Sequence, residues 1–129
     1  MTGKLEILVA DDDSAIRFVF KKMVEVAAIS HGAEANVTVV EDGNSAIDMA
    51  SQNSYDVIFS DYQMGETNGI QVYKSLSDQH KQRIVLMSAN TLDLEEELEK
   101  AGISRPYPNI ISKPFMIADI AKAIRPYIK

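Results

Sequence analysis

Residues Val57-Ile58-Phe59-Ser60-Asp61-Tyr62-Gln63-Met64 read VIFSDYQM, and this stretch sets the terms of the fold. An apolar run too short for a helix delivers an aspartate at its end, and loop-like sequence follows. A run without polar alternation suits a strand covered on both faces, as in a parallel sheet. Four more such runs stand out: Ile7-Leu8-Val9-Ala10, Val37-Thr38-Val39-Val40, Ile84-Val85-Leu86-Met87 and the short Ile110-Ile111. The question is whether the other runs also end in groups that could meet Asp61.

Helical patterns separate the runs. After Ser14, a candidate N-cap, Ala15, Ile16, Val19, Phe20, Met23, Val24 and Ala27 recur at helical spacing. A short second helix, Ser45 to Ala50, follows the turn signal Asp42-Gly43. Asn68-Gly69 opens a third, carrying Ile70, Val72, Tyr73 and Leu76. A fourth, Leu92 to Lys100, stops before Gly102. Ile117, Ile120, Ala121, Ile124 and Ile128 mark a fifth, whose last turn Pro126 is expected to kink or fray. Five strands alternating with five helices predict an α/β domain, a doubly wound (βα)5 parallel sheet. Ligands of such sheets sit at the carboxyl ends of the strands.

The bulk properties agree. A chain of 129 residues is most simply one domain, taken here as residues 1–129. With 46% hydrophobic and 25% charged residues it reads as globular. Nineteen acidic residues against 13 basic ones give a net charge of −6, and no Lys/Arg run is present. That balance argues against a nucleic-acid partner. The absence of cysteine excludes disulfides, Cys-based zinc sites and thiol catalysis. The apolar run around Ile7 is interrupted by three aspartates and is too short for a signal peptide. No run reaches membrane-spanning length, so a cytoplasmic protein without a membrane partner is expected.

The strand ends carry the chemistry. Strand one ends in Asp11-Asp12-Asp13, strand three in Asp61, strand four in Ser88-Ala89 and strand five in Ser112-Lys113-Pro114-Phe115. In a parallel sheet these gather on one edge. Clustered carboxylates repel, and a hard divalent cation such as Mg²⁺ relieves the repulsion. A lysine adds a point charge for anionic oxygens, and a serine adds a neutral donor. That set suits phosphoryl transfer, in which a carboxylate can itself be the nucleophile. Each piece alone has a plainer use. Asp13 reads best as a helix cap, and a lone strand-end aspartate is most often a turn former. His31 and His80 are expected at the solvated surface, the methionines mostly in the core, and Glu95-Glu96-Glu97 on a solvated helix face.

Taken in order, ILVADDD, VIFSDYQM, VLMSAN and ISKPF resemble the receiver domain of two-component response regulators, over essentially the whole chain. The resemblance implies a flavodoxin-like fold with strand order 2-1-3-4-5. It places Asp61 as phosphoacceptor. Asp11, Asp12 and Asp61, with the backbone carbonyl of Gln63, would bind Mg²⁺. Ser88 would bond a phosphoryl oxygen, and Lys113 would pair with the phosphoryl group, its bond to Pro114 being cis. The donor would be a histidine kinase or histidine phosphotransfer protein. A downstream protein would be read through the face of the fourth helix, fifth strand and fifth helix, with the domain a monomer or weak homodimer. The expected activity is that of a stand-alone switch catalysing its own phosphorylation and dephosphorylation, not of a conventional enzyme.

This chain departs from the family at several points. Gly65 stands where the family often has proline, and a more flexible loop is expected. The family's switch aromatic, two or three residues before the lysine, aligns with Ile110, with Tyr107 nearby. Residues 105–108 lengthen the turn before strand five, and residues 29–36 are expected to form a long connection after helix one. Gln63 and Asn90 occupy the positions two past the acceptor and two past the serine. Three alternatives are weaker. A phosphorylation-independent binding module would keep the fold and drop the switch. A haloacid-dehalogenase-type phosphatase would want a second acid where Gln63 stands. Nucleotide cofactors lack support, because three acids repel a flavin phosphate and no G-x-G-x-x-G follows strand one.

Overall fold

A computed structural model describes residues 4–128; Met1 to Gly3 and Lys129, part of the expected 1–129 domain, lie outside the described residues. The elements are β1 (Lys4–Ala10), α1 (Ser14–Ser30), β2 (Glu34–Val40), α2 (Gly43–Gln52), β3 (Val57–Asp61), α3 (Gly69–Ser75), α4 (Asp78–Lys81), β4 (Ile84–Ser88), α5 (Thr91–Lys100), β5 (Asn109–Ser112) and α6 (Ile117–Ile124). A 3-10 turn over Arg125–Tyr127 closes the described chain, with Pro126 in its first turn as the sequence predicts. All strand pairs are parallel, in the order β2-β1-β3-β4-β5.

The unbroken apolar runs explain the sheet's burial. Every residue of β3 and β4 is buried. Because side chains alternate across a strand, each run feeds two cores. On one face, Ile7, Val9, Val57, Phe59, Val85 and Met87 meet Phe20, Val24, Ala27 and Ala28 of α1 and Ile120 and Ile124 of α6. On the other, Leu8, Ile58, Ile84 and Leu86 meet Ala46 of α2, Ile70 and Val72 of α3, and Leu94 and Leu98 of α5. Phe20 is the hub of the first core, edge-on to Phe59 at 5.0 Å and to Phe115 at 4.8 Å. The fully buried Phe20 and Phe59 each contribute roughly 1.5–3 kcal/mol by burial alone.

Four expectations are corrected. The long connection over residues 29–36 does not form: α1 runs to Ser30 and β2 starts at Glu34, so only His31, Gly32 and Ala33 link them. The reason is local. Gly32 takes φ +77°, and the amides of His31, Gly32 and Ala33 bond back to Ala28 and Ile29 carbonyls, so α1 stops in one tight turn. The candidate cap Ser14 is already helical, and the cap of α1 is Asp13, as its reading as a helix cap expects, its carboxylate accepting from the amides of Ala15 and Ile16. The five-helix expectation missed α4, a single turn capped by Ser77 whose apolar signal is too short to show periodicity. Finally, His31 is exposed as expected, but His80 is only 5% exposed. The turn between α5 and β5 is long, spanning residues 101–108, and the peptide bond Arg105–Pro106 is cis. No helix is long and apolar enough to cross a membrane among the described residues.

Candidate functional site

Each acid is delivered by the strand beneath it. Asp11 follows β1 directly and is 1% exposed. It is pinned twice: its Oδ1 accepts from the Asp13 amide at 2.9 Å, and its carbonyl accepts from the Arg17 guanidinium at 2.8 Å. Asp13 turns back to cap α1, which leaves Asp12 exposed. Asp61, the last residue of β3, is 8% exposed. One carboxylate oxygen from each of Asp11, Asp12 and Asp61 lies within 4.8 Å of the other two.

Lys113 reaches the same point from the end of β5. Its Nζ lies 3.1 Å from Asp61 Oδ1 and 3.4 Å from Asp11 Oδ2. The Lys113–Pro114 bond is cis, and the Lys113 amide donates to the Ser88 carbonyl at 2.8 Å. One ammonium thus faces three acids. Burial pushes the Asp61 carboxyl above its ordinary value; Lys113 pulls it down, but Asp11 and Asp12 push it up again. Burial alone would favour neutral Lys113, but the carboxylates of Asp61 and Asp11 outweigh it and hold the ammonium above its usual range. Three clustered oxygen donors with one compensating cation leave negative charge for a hard divalent ion, so the donor set fits Mg²⁺ chemistry.

Ser88 is not bonded to the acids. Its Oγ donates to the Asn90 carbonyl and accepts from the Asn90 amide, both at 3.0 Å. With Gln63, Asn90 and Lys113 it lines a concavity of about 150 Å³. Asn90 is itself committed, its Oδ1 accepting from the Asp93 amide and its Nδ2 donating to the Asp93 carboxylate. It caps α5. Gln63 is exposed. Ile110 is half-buried against the core beneath α5, and Tyr107 packs against that same core.

Several residues that hold the site were not singled out in the sequence. Arg17 looked like one more charge on α1, yet it fixes the Asp11 carbonyl. Gly43 lies so close to the loop after Asp61 that a Cβ there would stand 2.4 Å from the Thr67 carbonyl oxygen. The Thr67 hydroxyl donates to Asn44 at 3.0 Å, so this loop rests on the start of α2. Gly69 read only as a helix opener. A Cβ there would lie 2.9 Å from the Asp61 carbonyl oxygen, and its amide donates to the Tyr62 carbonyl at 2.8 Å. Gly65 has φ +66°, which proline, fixed near −65°, cannot adopt.

Comparison with known proteins gives a consistent picture. A profile described as the response regulator receiver domain matches residues 7–125. Transcriptional regulatory protein CpxR of Escherichia coli (strain K12) is 27% identical over 124 residues, 96% of this chain and 49% of that protein. The chain therefore spans about half the length of the curated relative it matches. Among solved structures, chemotaxis protein CheY4 of Vibrio cholerae is 25% identical with TM-score 0.72, covering 96% of this chain and 98% of the other. The receiver domain of sensor histidine kinase PA1611 from Pseudomonas aeruginosa PAO1, solved with a magnesium ion coordinated in its active-site cleft, is 23% identical. It covers 95% of this chain and 97% of its own, with TM-score 0.76.

Proposed function

The chain belongs to the response regulator receiver domain family, and from that premise we propose that it accepts a phosphoryl group on Asp61 from a histidine kinase or histidine phosphotransfer protein. The observation that carries the reading is Lys113 Nζ seated between Asp61 and Asp11, 3.1 and 3.4 Å away, with Asp12 closing the cluster.

The donor is a phosphohistidine. An Asp61 carboxylate oxygen forms a bond to phosphorus as the phosphorus–nitrogen bond breaks, and the donor imidazole leaves with the electron pair. Asp61 must be ionised to attack, which Lys113 favours and its burial opposes. Asp11, Asp12, Asp61 and the Gln63 carbonyl would hold Mg²⁺, which when bound neutralises phosphoryl oxygens. Lys113 then pairs with the phosphoryl group in place of the bare carboxylate. Ser88 gives up its two bonds to Asn90 to donate to a phosphoryl oxygen, and this loosens the start of α5. The receiver of PA1611 with its magnesium ion supports the metal assignment.

The readout is a downstream protein on the face formed by α5, β5 and α6. A groove of about 510 Å³ runs there, lined by Thr91, Ile110, Ser112, Asp119 and Lys122. It begins where the Ser88 loop feeds α5. The domain works in the cytoplasm as a single receiver unit over residues 1–129, monomeric or weakly dimeric.

The test is intact-mass analysis after incubation with acetyl phosphate, with and without Mg²⁺. One Mg²⁺-dependent phosphoryl adduct that is lost in base supports the reading. A folded protein that gains no adduct under any condition overturns it.

A further inference from the structure

His80 is the buried titratable group that the acidic site does not use. It lies on α4, at the opposite end of the sheet from Asp61, and is 5% exposed. Its Nε2 accepts a hydrogen bond from the Tyr55 amide at 3.1 Å, within the buried interior. An imidazole nitrogen that accepts must be unprotonated, so the neutral tautomer carries its proton on Nδ1. The Tyr55 carbonyl, in the next peptide unit, is held too, because the Arg83 guanidinium donates to it at 3.3 Å. The next residue is tied to β1: the Asp56 carboxylate accepts from the Glu6 amide at 2.8 Å, and the Asp56 amide donates to the Glu6 carbonyl at 2.7 Å.

The crossing from α2 into β3 is therefore fastened by His80 of α4 and Arg83 just before β4 on one side and by β1 on the other. We propose that His80 is an acid-sensitive latch, whose neutral imidazole holds the Tyr55 crossing and whose protonation releases it. This holds whether or not Asp61 is phosphorylated.

Protonation of Nε2 would turn an acceptor into a donor facing the Tyr55 N–H. It would also set a second cation near Arg83. Among the described residues no carboxylate compensates. Asp56 is engaged by the Glu6 backbone, Asp78 sits exposed in the first turn of α4, and Lys81 beside it adds positive charge. The Tyr55 ring, 6.1 Å from the imidazole, is neutral. Burial and Arg83 both lower the His80 pKa from its ordinary value. The sign follows. The unfolded chain binds a proton at His80 near pH 6.5 while the folded chain resists it, so unfolding is favoured as pH falls below that value. Above it the latch costs nothing.

The experiment is amide hydrogen exchange followed by NMR from pH 7.5 to 5.5, corrected for intrinsic rates, beside titration of the two imidazoles assigned with His31→Gln. The expected result is a His80 midpoint below about 6.5. Protection at Tyr55 should fall as pH drops, approaching tenfold per pH unit, and faster than at Phe59 within β3. In His80→Gln, whose side chain offers an acceptor that does not titrate, the extra fall at Tyr55 should vanish. A His80 midpoint at or above the ordinary value overturns the latch. So does Tyr55 protection that falls no faster than that of Phe59. Both of these readouts use the native chain, so they stand if His80→Gln fails to fold.

Discussion

The two ends of β3 bury ionisable groups in opposite ways. At its start, a neutral His80 accepts from the Tyr55 amide and Arg83 donates to the Tyr55 carbonyl. At its finish, Asp61 is packed against Asp11 and Asp12 with one ammonium for three acids. The first arrangement stabilises the native fold at neutral pH. The second leaves charge unbalanced and so stores repulsion that a cation or a new ligand can relieve. Unrelieved charge of one sign at a strand end marks the proposed working end of this sheet, and paired polar groups mark the structural end.

The largest expected effect strikes both ends at once. Phe59 lies midway along β3, fully buried against Phe20. Phe59→Ala should cost about 3–5 kcal/mol in urea unfolding through lost burial and the cavity left behind. His80→Ala should break the structural end alone. It strands the Tyr55 amide without an acceptor, at a cost of about 1–3 kcal/mol at pH 7. A gain in stability on this substitution would contradict the contrast.

Gly43→Ala tests the scaffold of the working end. A Cβ at 2.4 Å from the Thr67 carbonyl must push the loop after Asp61 off α2, costing about 1–3 kcal/mol. Phosphorylation should slow with it, since the loop carries Gln63. The smallest effect has the opposite sign. Asp61→Asn should raise stability slightly near pH 7, because it removes a buried charge that Asp11 and Asp12 repel. Asp61 has a raised pKa, so the native state holds its proton more tightly than the unfolded chain. That contribution is present at low pH and lost as pH rises through the folded pKa. The advantage of the asparagine variant should therefore grow between pH 4 and 7 and shrink when Mg²⁺ is added to both proteins.

The sequence made the working end legible because its signal is compositional. Short apolar runs fix parallel strands, and Asp11, Asp12, Asp61 and Lys113 sit at their ends, so a fold with a carboxyl-edge site follows from period and position alone. The supports were not legible. Gly43 matters through a contact with Thr67, distant in sequence, and Gly69 through the close approach of its own loop to Asp61, and a glycine followed by a helix reads the same with or without such a contact. His80 misled because its neighbours Ser77, Asp78 and Gln79 are polar. Burial there is decided by packing against Tyr55, 25 residues away. The connection after α1 misled for a related reason. Polar residues near a glycine resemble a loop, while Gly32 in fact stops the helix within three residues.

The most direct test of the acceptor assignment is to locate the phosphoryl group chemically. The protein would be incubated with acetyl phosphate and Mg²⁺, reduced with borohydride, which converts an aspartyl phosphate to homoserine, and mapped by peptide mass spectrometry. The account expects homoserine at position 61, in the peptide carrying VIFSDYQM, and none when Mg²⁺ is withheld. Homoserine at position 11 or 12 with position 61 untouched would contradict it.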